Sequence, residues 1–383
     1  MASRPPPQTE AGRILTLARR DGPAARKAVE ALDVLGQVAL FCETPVAHRV
    51  EILDLLPSPE AVIPALPEAE LCFTAKAIGL ADAAGLLEHA TGEQLQACID
   101  LDAWRSDLPD HAALSAWFDA CLEAGTDTAL RAVEVLDMEL LVLMLQDRAV
   151  VHLKTNDDDW QPPAGGMTLE GVFYLVAKRG DDDLETVMGI LQALFERDYW
   201  HYFRLLQGAI WELPSDCEEF ALRWRTSRLM DMGFPTREEA MAVYGVLRDE
   251  ELTTLPEEAT ALDVTPFHLP VWMPDLPSTR KKTPAILLAA AELAPDEKRG
   301  FLYAFLALAN KLAVADRMPL GEAESTPIAI DKAAAVASMG LLHLAEHHGL
   351  APVEVLRRVR LDRLFRVGAS LDQSVRPQVG STA

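Results

Sequence analysis

The sequence is poor in several features that usually reveal a function. Aromatic residues make up 6% of the 383 residues, and 35 basic side chains face 59 acidic ones, for a formal net charge of −24. A surface of this sign repels phosphate backbones, so we expect no nucleic-acid partner. No run of eighteen apolar residues occurs, and the start MASRPPPQTEAGR lacks the apolar core of a secretory signal. Neither membrane insertion nor export is therefore expected.

Cysteine is also scarce. The five cysteines are widely spaced, lie in apolar helical contexts and form no CxxC pair: Cys42, Cys72, Cys98, Cys121 and Cys217. In a long chain without an export signal, this pattern predicts buried, reduced thiols and a cytoplasmic location.

Motifs of the common enzyme classes are missing as well. The chain has no G-x-S-x-G elbow, no G-x-x-x-x-G-K-[ST] loop and no G-x-G-x-x-G turn. These absences disfavour the usual hydrolase and nucleotide-binding classes, and we expect no cofactor.

What the sequence does contain is helix-forming residues and clear helix punctuation. Half of the residues are hydrophobic, with alanine, leucine, glutamate and aspartate abundant. Capping boxes are predicted at Thr91–Gln94, Ser215–Glu218 and Thr236–Glu239. Ser58 before Pro59, and Asp137, are further predicted helix starts.

Over the first third of the chain, short apolar helices end in Leu-Pro or Gly and restart at a cap. LDLLPSPEAVIPAL, LLEHATGEQLQACI and VEVLDMELLVLMLQ share this plan at irregular spacing. Short helical hairpins must stack to bury their apolar faces. The predicted fold is therefore all-α, an armadillo-like helical superhelix, with one small β-hairpin insertion described below.

Two resemblances support this interpretation. Residues 40–150 resemble the N-terminal superhelical domain of MgtE-type magnesium transporters, which implies an MgtE-N-like superhelix. The segments LPSPEAVIPALPEAELCFTAKAIGLADAAGLLEHAT and RLMDMGFPTREEAMAVYGVL resemble an uncharacterised deltaproteobacterial family, a domain of unknown function that spans most of such chains. This second resemblance implies fold and lineage without a mechanism.

Two segments in the rest of the chain do not have the sequence pattern of helices. AVVHLKT and GVFYLVAK flank the loop NDDDWQPPAGGM and predict one antiparallel hairpin. Prolines interrupt TPFHLPVWMPDLP so often that an extended strap lying against the surface is predicted there. The predicted organisation is a flexible tail (1–20), a helical-repeat superhelix (21–150), a helical middle region with the hairpin (151–251), the Pro-rich strap (252–283), a C-terminal helical region (284–370) and a flexible tail (371–383).

An aromatic cluster beginning at residue 199 is the most conspicuous candidate for a partner-binding surface. Consecutive aromatic residues on a helix cannot all face inward, so some must meet another element or a partner. Packing against the Pro-rich strap is the alternative explanation. Arginines that follow it could form an anion site or pair with neighbouring acids. The candidate partner-binding residues are Tyr199, Trp200, His201, Tyr202, Arg204, Arg225 and Arg228.

His343-Leu344-Ala345-Glu346-His347 matches the H-x-x-E-H pattern of zinc peptidases. His343 and His347 would lie one helical turn apart and share a metal, with Glu346 as general base. Such enzymes need a further carboxylate ligand downstream. The other explanation is a helix C-terminus before Gly349, where the helix dipole favours partial positive charge.

Clustered charges elsewhere have simpler explanations. Asp157–Asp159 is predicted to be a solvated loop or a cation site, and Asp181–Asp183 a capped helix start. The arginines of APVEVLRRVRLDRLFRVG are predicted to dock onto an acidic partner or onto the protein's own acidic face.

The function predicted from these observations is a non-enzymatic protein-interaction scaffold or regulatory adaptor in the bacterial cytoplasm, with an unidentified protein partner. One alternative is a metal-dependent zinc hydrolase that uses the HLAEH motif. The other is a magnesium or small-ligand sensor, in which the ligand would raise the melting temperature by mass action.

Overall fold

The protein is an all-α fold with two small β insertions. The computed structural model describes residues 10–180, 184–256, 262, 268–271 and 283–375. Helices occupy most of these residues, and each of the two sheets has only two strands. The all-α prediction is therefore confirmed.

Two compact units divide the chain. The first comprises the described part of residues 1–226 together with Pro270 and Val271. Its helices are α1 (Glu10–Ala18), α2 (Gly22–Glu30), α3 (Val34–Glu43), α4 (Arg49–Leu53), α5 (Pro59–Val62), α6 (Glu68–Ile78), α7 (Ala84–Leu87), α8 (Gly92–Asp102), α9 (His111–Glu123), α10 (Thr126–Val135), α11 (Met138–Arg148), α12 (Glu185–Arg197), α13 (Tyr199–Trp211) and α14 (Pro214–Asp231), and its 3-10 turns are Val46–His48, Ile63–Ala65 and Leu80–Asp82.

The second unit comprises the remaining described residues from 227 onward, including the last residues of α14. Its helices are α15 (Arg237–Met241), α16 (Asp249–Leu252), α17 (Ala285–Ala291), α18 (Pro295–Ala315), α19 (Ser325–His348), α20 (Pro352–Arg358) and α21 (Leu361–Leu371), with 3-10 turns at Ala242–Tyr244 and Gln373–Val375.

Helix starts follow the local sequence at most of the predicted positions. Thr91 and Thr236 each accept a backbone hydrogen bond from the residue three positions on, and complete a capping box there. Ser58 and Asp137 occupy the N-cap positions of α5 and α11. The Ser215 prediction is wrong: α14 already begins at Pro214, so Ser215 lies inside its first turn.

The ends of the chain are more ordered than predicted. Residues 10–18 form α1, with Ala11, Ile14 and Leu15 buried, so the predicted tail does not extend to residue 20. Leu371 is still helical and a 3-10 turn follows it. Residues 1–9 and 376–383, to which the remaining tail predictions apply, lie outside the described residues.

The predicted hairpin is confirmed. Strands β3 (Ala149–Leu153) and β4 (Phe173–Ala177) pair antiparallel, with Ala149 opposite Ala177. The connecting loop folds back, and Met167 exchanges two backbone hydrogen bonds with Leu175. A second hairpin, β1 (Trp104–Arg105) and β2 (Leu108–Pro109), was not predicted; its tight turn places Ser106 at a φ of 56°.

A buried ion pair joins α3, α4 and α6 in the first unit. The Nη2 of Arg49 lies 2.6 Å from Oε2 of Glu70, and the side chains are only 4% and 9% exposed. The same guanidinium donates to the carbonyls of Cys42 and Thr44 near the end of α3, and to the hydroxyl of Thr74. One side chain therefore satisfies the C-terminal carbonyls of one helix and fixes it to another.

Helix α19 forms the centre of the second unit and packs against α17, α18, α20 and α21. It crosses α21 at two glycines, Gly340 and Gly368. A Cβ added to Gly340 would overlap the carbonyl oxygen of Leu364, and one added to Gly368 would overlap that of Val336. The two backbones are therefore in direct contact.

Helix α19 is also the one described helix that is long and apolar enough to cross a membrane. Length and composition are the only basis for this, and 56% of its most apolar window is buried inside the protein. A central core helix has the same properties.

Most of the predicted Pro-rich strap lies outside the described residues. At its N-terminal end, Leu252 closes the short helix α16. Further on, Pro270 is buried, and its carbonyl accepts a hydrogen bond of 2.8 Å from the backbone N–H of Ala69.

All five cysteines are free and buried, as predicted. Burial raises the pKa of the Cys121 thiol to about 12, and burial together with the Glu212 carboxylate does the same for Cys217. These thiols are protonated at neutral pH and are poor nucleophiles.

Candidate interaction surface

Helix α13 carries the aromatic cluster and divides it between core and surface. Asp198 caps the helix by accepting the backbone N–H of His201 at 3.0 Å. Tyr202 is fully buried, whereas the Trp200 side chain is 72% exposed. The prediction that consecutive aromatic residues must point in different directions is confirmed.

The inward part of the cluster packs on the hairpin and on α12. The ring of Tyr202 contacts Phe173 of β4 and Phe195 of α12, and Phe203 also contacts Phe173 at a centroid distance of 5.6 Å. The Tyr202 hydroxyl donates to Oε1 of Glu170, in the hairpin loop, at 3.1 Å. Among the described residues, the aromatic cluster thus packs against the hairpin. The sequence had suggested packing against the Pro-rich strap.

Burial shifts the pKa of three side chains of the aromatic cluster. Burial and the nearby Glu170 carboxylate raise the pKa of Tyr202, and the same two causes raise that of Tyr199. Burial lowers the pKa of His201, whose Nε2 finds no hydrogen-bond partner among the described residues. Tyr202 therefore belongs to the packing of α13, whereas Tyr199 is 42% exposed.

The C-terminal half of α13 is fixed to α11. The side-chain amide of Gln146 donates to the carbonyls of Ala209 (3.3 Å) and Glu212 (2.9 Å). Gly208 faces Val142 so closely that a Cβ would lie 2.7 Å from its Cγ2. Since both ends are anchored, the outer side of α13 is a rigid platform.

This outer side presents two tryptophans. Trp200 and Trp211 are each 72% exposed, and they are eleven positions apart in the sequence. At 100° and 1.5 Å per residue they lie on the same side of the helix, about 16 Å apart. Arg204 and Gln207 lie exposed between them.

A second exposed apolar row follows directly on α14. Leu213 precedes the helix by one residue and is 63% exposed, and Phe220 (45%) and Trp224 (48%) follow at helical spacing. Because two residues, Glu212 and Leu213, join the helices, the two rows meet at this junction. We call Trp200, Trp211, Leu213, Phe220 and Trp224 the exposed aromatic face.

Arg225 does not belong to this face. Its Nε donates to the carbonyl of Asp100 at 2.7 Å, and its guanidinium stacks over the ring of Trp104 at 4.8 Å. The guanidinium thus docks α14 onto α8 and the first hairpin, and the anion site stays a prediction. Arg228 is partly buried and falls in the second unit.

The zinc-site residues lie near the end of α19. Glu346 and His347 are exposed, and the Nε2 of His343 is buried without a hydrogen-bond partner among the described residues. Within those residues, no three His, Cys, Asp or Glu side chains come together to hold a metal ion. Gly349 ends the helix in the left-handed conformation, at a φ of 63°, as in the alternative explanation.

The other charge clusters have local roles where the structure describes them. Asp157 accepts the hydroxyl of Thr155 in an exposed loop, while Asp181–Asp183 lies outside the described residues. Among the C-terminal arginines, Arg357 docks internally through a two-pronged contact with Glu297, at 2.8 and 3.1 Å.

The Tyr202 hydroxyl gives a first testable prediction. Tyr202→Phe should lower the free energy of unfolding by about 1–3 kcal/mol, because it removes a hydrogen bond to a carboxylate. Tyr174→Phe is the matched control, since the Tyr174 ring packs against Trp160 and we expect less than about 0.5 kcal/mol from it. Denaturant titration measures both, and equal effects of the two variants would contradict the role given to Glu170.

Comparison with known protein families gives one match. A family model described as "Family of unknown function (DUF6178)" matches residues 29–380. No curated protein and no solved structure matches the chain significantly.

Proposed function

We propose that this chain, which belongs to the DUF6178 family of unknown function, is a non-enzymatic protein-interaction scaffold or regulatory adaptor of the bacterial cytoplasm. The observation that carries the proposal is the exposed aromatic face on α13 and α14. Only 6% of the residues are aromatic, yet two consecutive helices carry three exposed tryptophans. Trp200 and Trp211 are 72% exposed and Trp224 is 48% exposed. Exposed apolar side chains grouped in this way mark candidate interaction sites.

The chemistry of these side chains fits a binding surface. Tryptophan is enriched at interface positions whose truncation costs about 2 kcal/mol or more. The platform beneath Trp200 and Trp211 is anchored through Tyr202, Gly208 and Gln146. A rigid surface loses little conformational entropy when a partner binds, which favours affinity.

The supporting part of the scaffold would be the short helices of residues 21–150. Helix α8 packs between α6 and α10, and α10 also packs on α9. We propose that this arrangement is an armadillo-like superhelix whose stacking holds α11, and with it α13, in place. The likeness to the MgtE-type N-terminal domain stays a prediction.

A paired capture experiment tests this function. The full chain, the double variant Trp200→Ser/Trp211→Ser, and a control Leu288→Ser/Ile328→Ser are each used to capture proteins from the native lysate. Leu288 and Ile328 are exposed apolar residues on other helices, so the control removes similar surface elsewhere. We expect a partner that the wild type and the control retain and that the tryptophan variant loses by about tenfold or more.

Circular dichroism and melting of all three proteins exclude misfolding as the cause of a difference. If all three proteins capture the same set of partners, the exposed aromatic face is not the binding surface.

A further inference from the structure

The exposed aromatic face is bordered by carboxylates. Between Trp211 and Trp224 the chain carries four acidic residues and a single base, Arg223. The acidic residues are Glu212, Asp216, Glu218 and Glu219. All of these except the partly buried Glu218 are exposed, so this end of the face is locally negative.

The acids are interleaved with the aromatic rings. Asp216, Phe220 and Trp224 follow one another at intervals of four residues and therefore lie along one side of α14. Glu212 stands beside Trp211 at the junction of the two helices; it is exposed, and one of its carboxylate oxygens accepts a hydrogen bond of 3.3 Å from the Cys217 thiol. Tryptophan faces attract lysine and arginine side chains, and carboxylates next to them strengthen that preference.

The first half of the face differs in one respect. Arg204 is exposed on the side of α13 between Trp200 and Trp211, and carries the only positive charge of that row. It therefore opposes a partner that is cationic along its whole length. It favours one whose positive charges lie over the α14 end.

We propose, building on the function proposed above, that the occupant of the exposed aromatic face is a cationic amphipathic helix of another protein. A helix presents side chains at i, i+4, i+7 and i+11, the same spacing as the row from Trp200 to Trp211, so three turns suffice to span it. Apolar side chains of the partner cover the tryptophans, and its lysines or arginines face Glu212, Asp216 and Glu219.

Charge also distinguishes this occupant from two others. A second copy of the chain would bring the same carboxylates against each other in a two-fold contact, within a molecule of net charge −24. An anionic membrane surface would be repelled for the same reason. Both remain measurable outcomes of the test.

The test uses a fluorescein-labelled model peptide of leucine and lysine with leucines at i, i+3, i+4 and i+7, and a second peptide in which glutamate replaces every lysine. Fluorescence anisotropy with the full chain measures both affinities. We expect the lysine peptide to bind at least about tenfold more tightly than the glutamate peptide, and added salt to reduce the difference.

Variants separate a defined site from general attraction to an acidic protein. Trp200→Ser/Trp211→Ser should weaken the lysine peptide about tenfold, whereas the control Leu288→Ser/Ile328→Ser should leave it unchanged. Glu212→Lys/Asp216→Lys/Glu219→Lys should reverse the preference between the peptides, and Arg204→Glu should tighten the lysine peptide.

Each opposite result overturns the partner class. Binding of the lysine peptide that ignores the tryptophans, equal binding of both peptides, or a tryptophan-dependent dimer in sedimentation would each do so. Tryptophan-dependent binding to anionic vesicles would do the same. If the capture experiment still finds a tryptophan-dependent partner, the proposed function stands and only the partner class fails.

Discussion

Replacing Arg49 by methionine is expected to lower the free energy of unfolding of the first unit by about 3–5 kcal/mol. The substitution leaves the Glu70 carboxylate buried without its cation, at a position where that side chain is 9% exposed. It also removes the donor to the carbonyls of Cys42 and Thr44, which end α3. A buried carboxylate that loses its counter-ion costs far more than an exposed one.

The exposed pair between Arg197 and Asp127 offers the matched control, because both side chains are more than half exposed. Arg197→Ala should cost less than about 1 kcal/mol. Hydrogen exchange of α3 and α6, measured with denaturant unfolding, localises the effect to the first unit. A loss at Arg49 as small as that at Arg197 would show that the buried pair contributes no more than a surface pair.

Replacing Gly340 and Gly368 together by alanine is expected to lower the free energy of unfolding of the second unit by about 3 kcal/mol or more. Each new methyl group would overlap a backbone carbonyl oxygen, that of Leu364 or that of Val336. A backbone atom cannot rotate away as a side chain can, so α19 and α21 must separate. Separation uncovers part of the core they share, including Leu341 and Phe365.

Gly85 in α7 is the control position, since nothing lies within 4 Å of a Cβ placed there. Gly85→Ala should be neutral or stabilising by about 0.5–1 kcal/mol, because alanine is the better helix former. Loss of exchange protection in α19 and α21, with the first unit unchanged, is the expected pattern. Unchanged protection in these two helices would refute the close crossing.

Local features could be predicted from the sequence because their causes are local. The capping boxes at Thr91 and Thr236 depend on hydrogen bonds between residues three apart, and both are present. The β3–β4 hairpin follows from two β-branched runs around one loop. Ser215 matched the same capping pattern and failed, because Pro214 starts the helix one residue earlier.

Features that depend on distant contacts could not be predicted. For Arg225 the sequence suggested an anion site or pairing with neighbouring acids, whereas its Nε donates to the carbonyl of Asp100, 125 residues away in the chain. Apolar residues at helical spacing usually mark a buried face, so Trp211, Phe220 and Trp224 gave no sign of exposure. Cys217, Phe220, Ala221 and Trp224 follow the i, i+3, i+4, i+7 pattern of one apolar helix face, yet only Cys217 and Ala221 are buried.

Helix α19 is synthesised before the helix that covers it. Synthesis proceeds from the N-terminus, so this long apolar helix is complete before α21, its closest packing partner, has been added. Until α21 arrives, α19 is a segment with the length and hydropathy of a membrane span and an uncovered face. A nascent or shortened chain that lacks α21 is therefore expected to leave an apolar face of α19 uncovered, which the addition of α21 then buries.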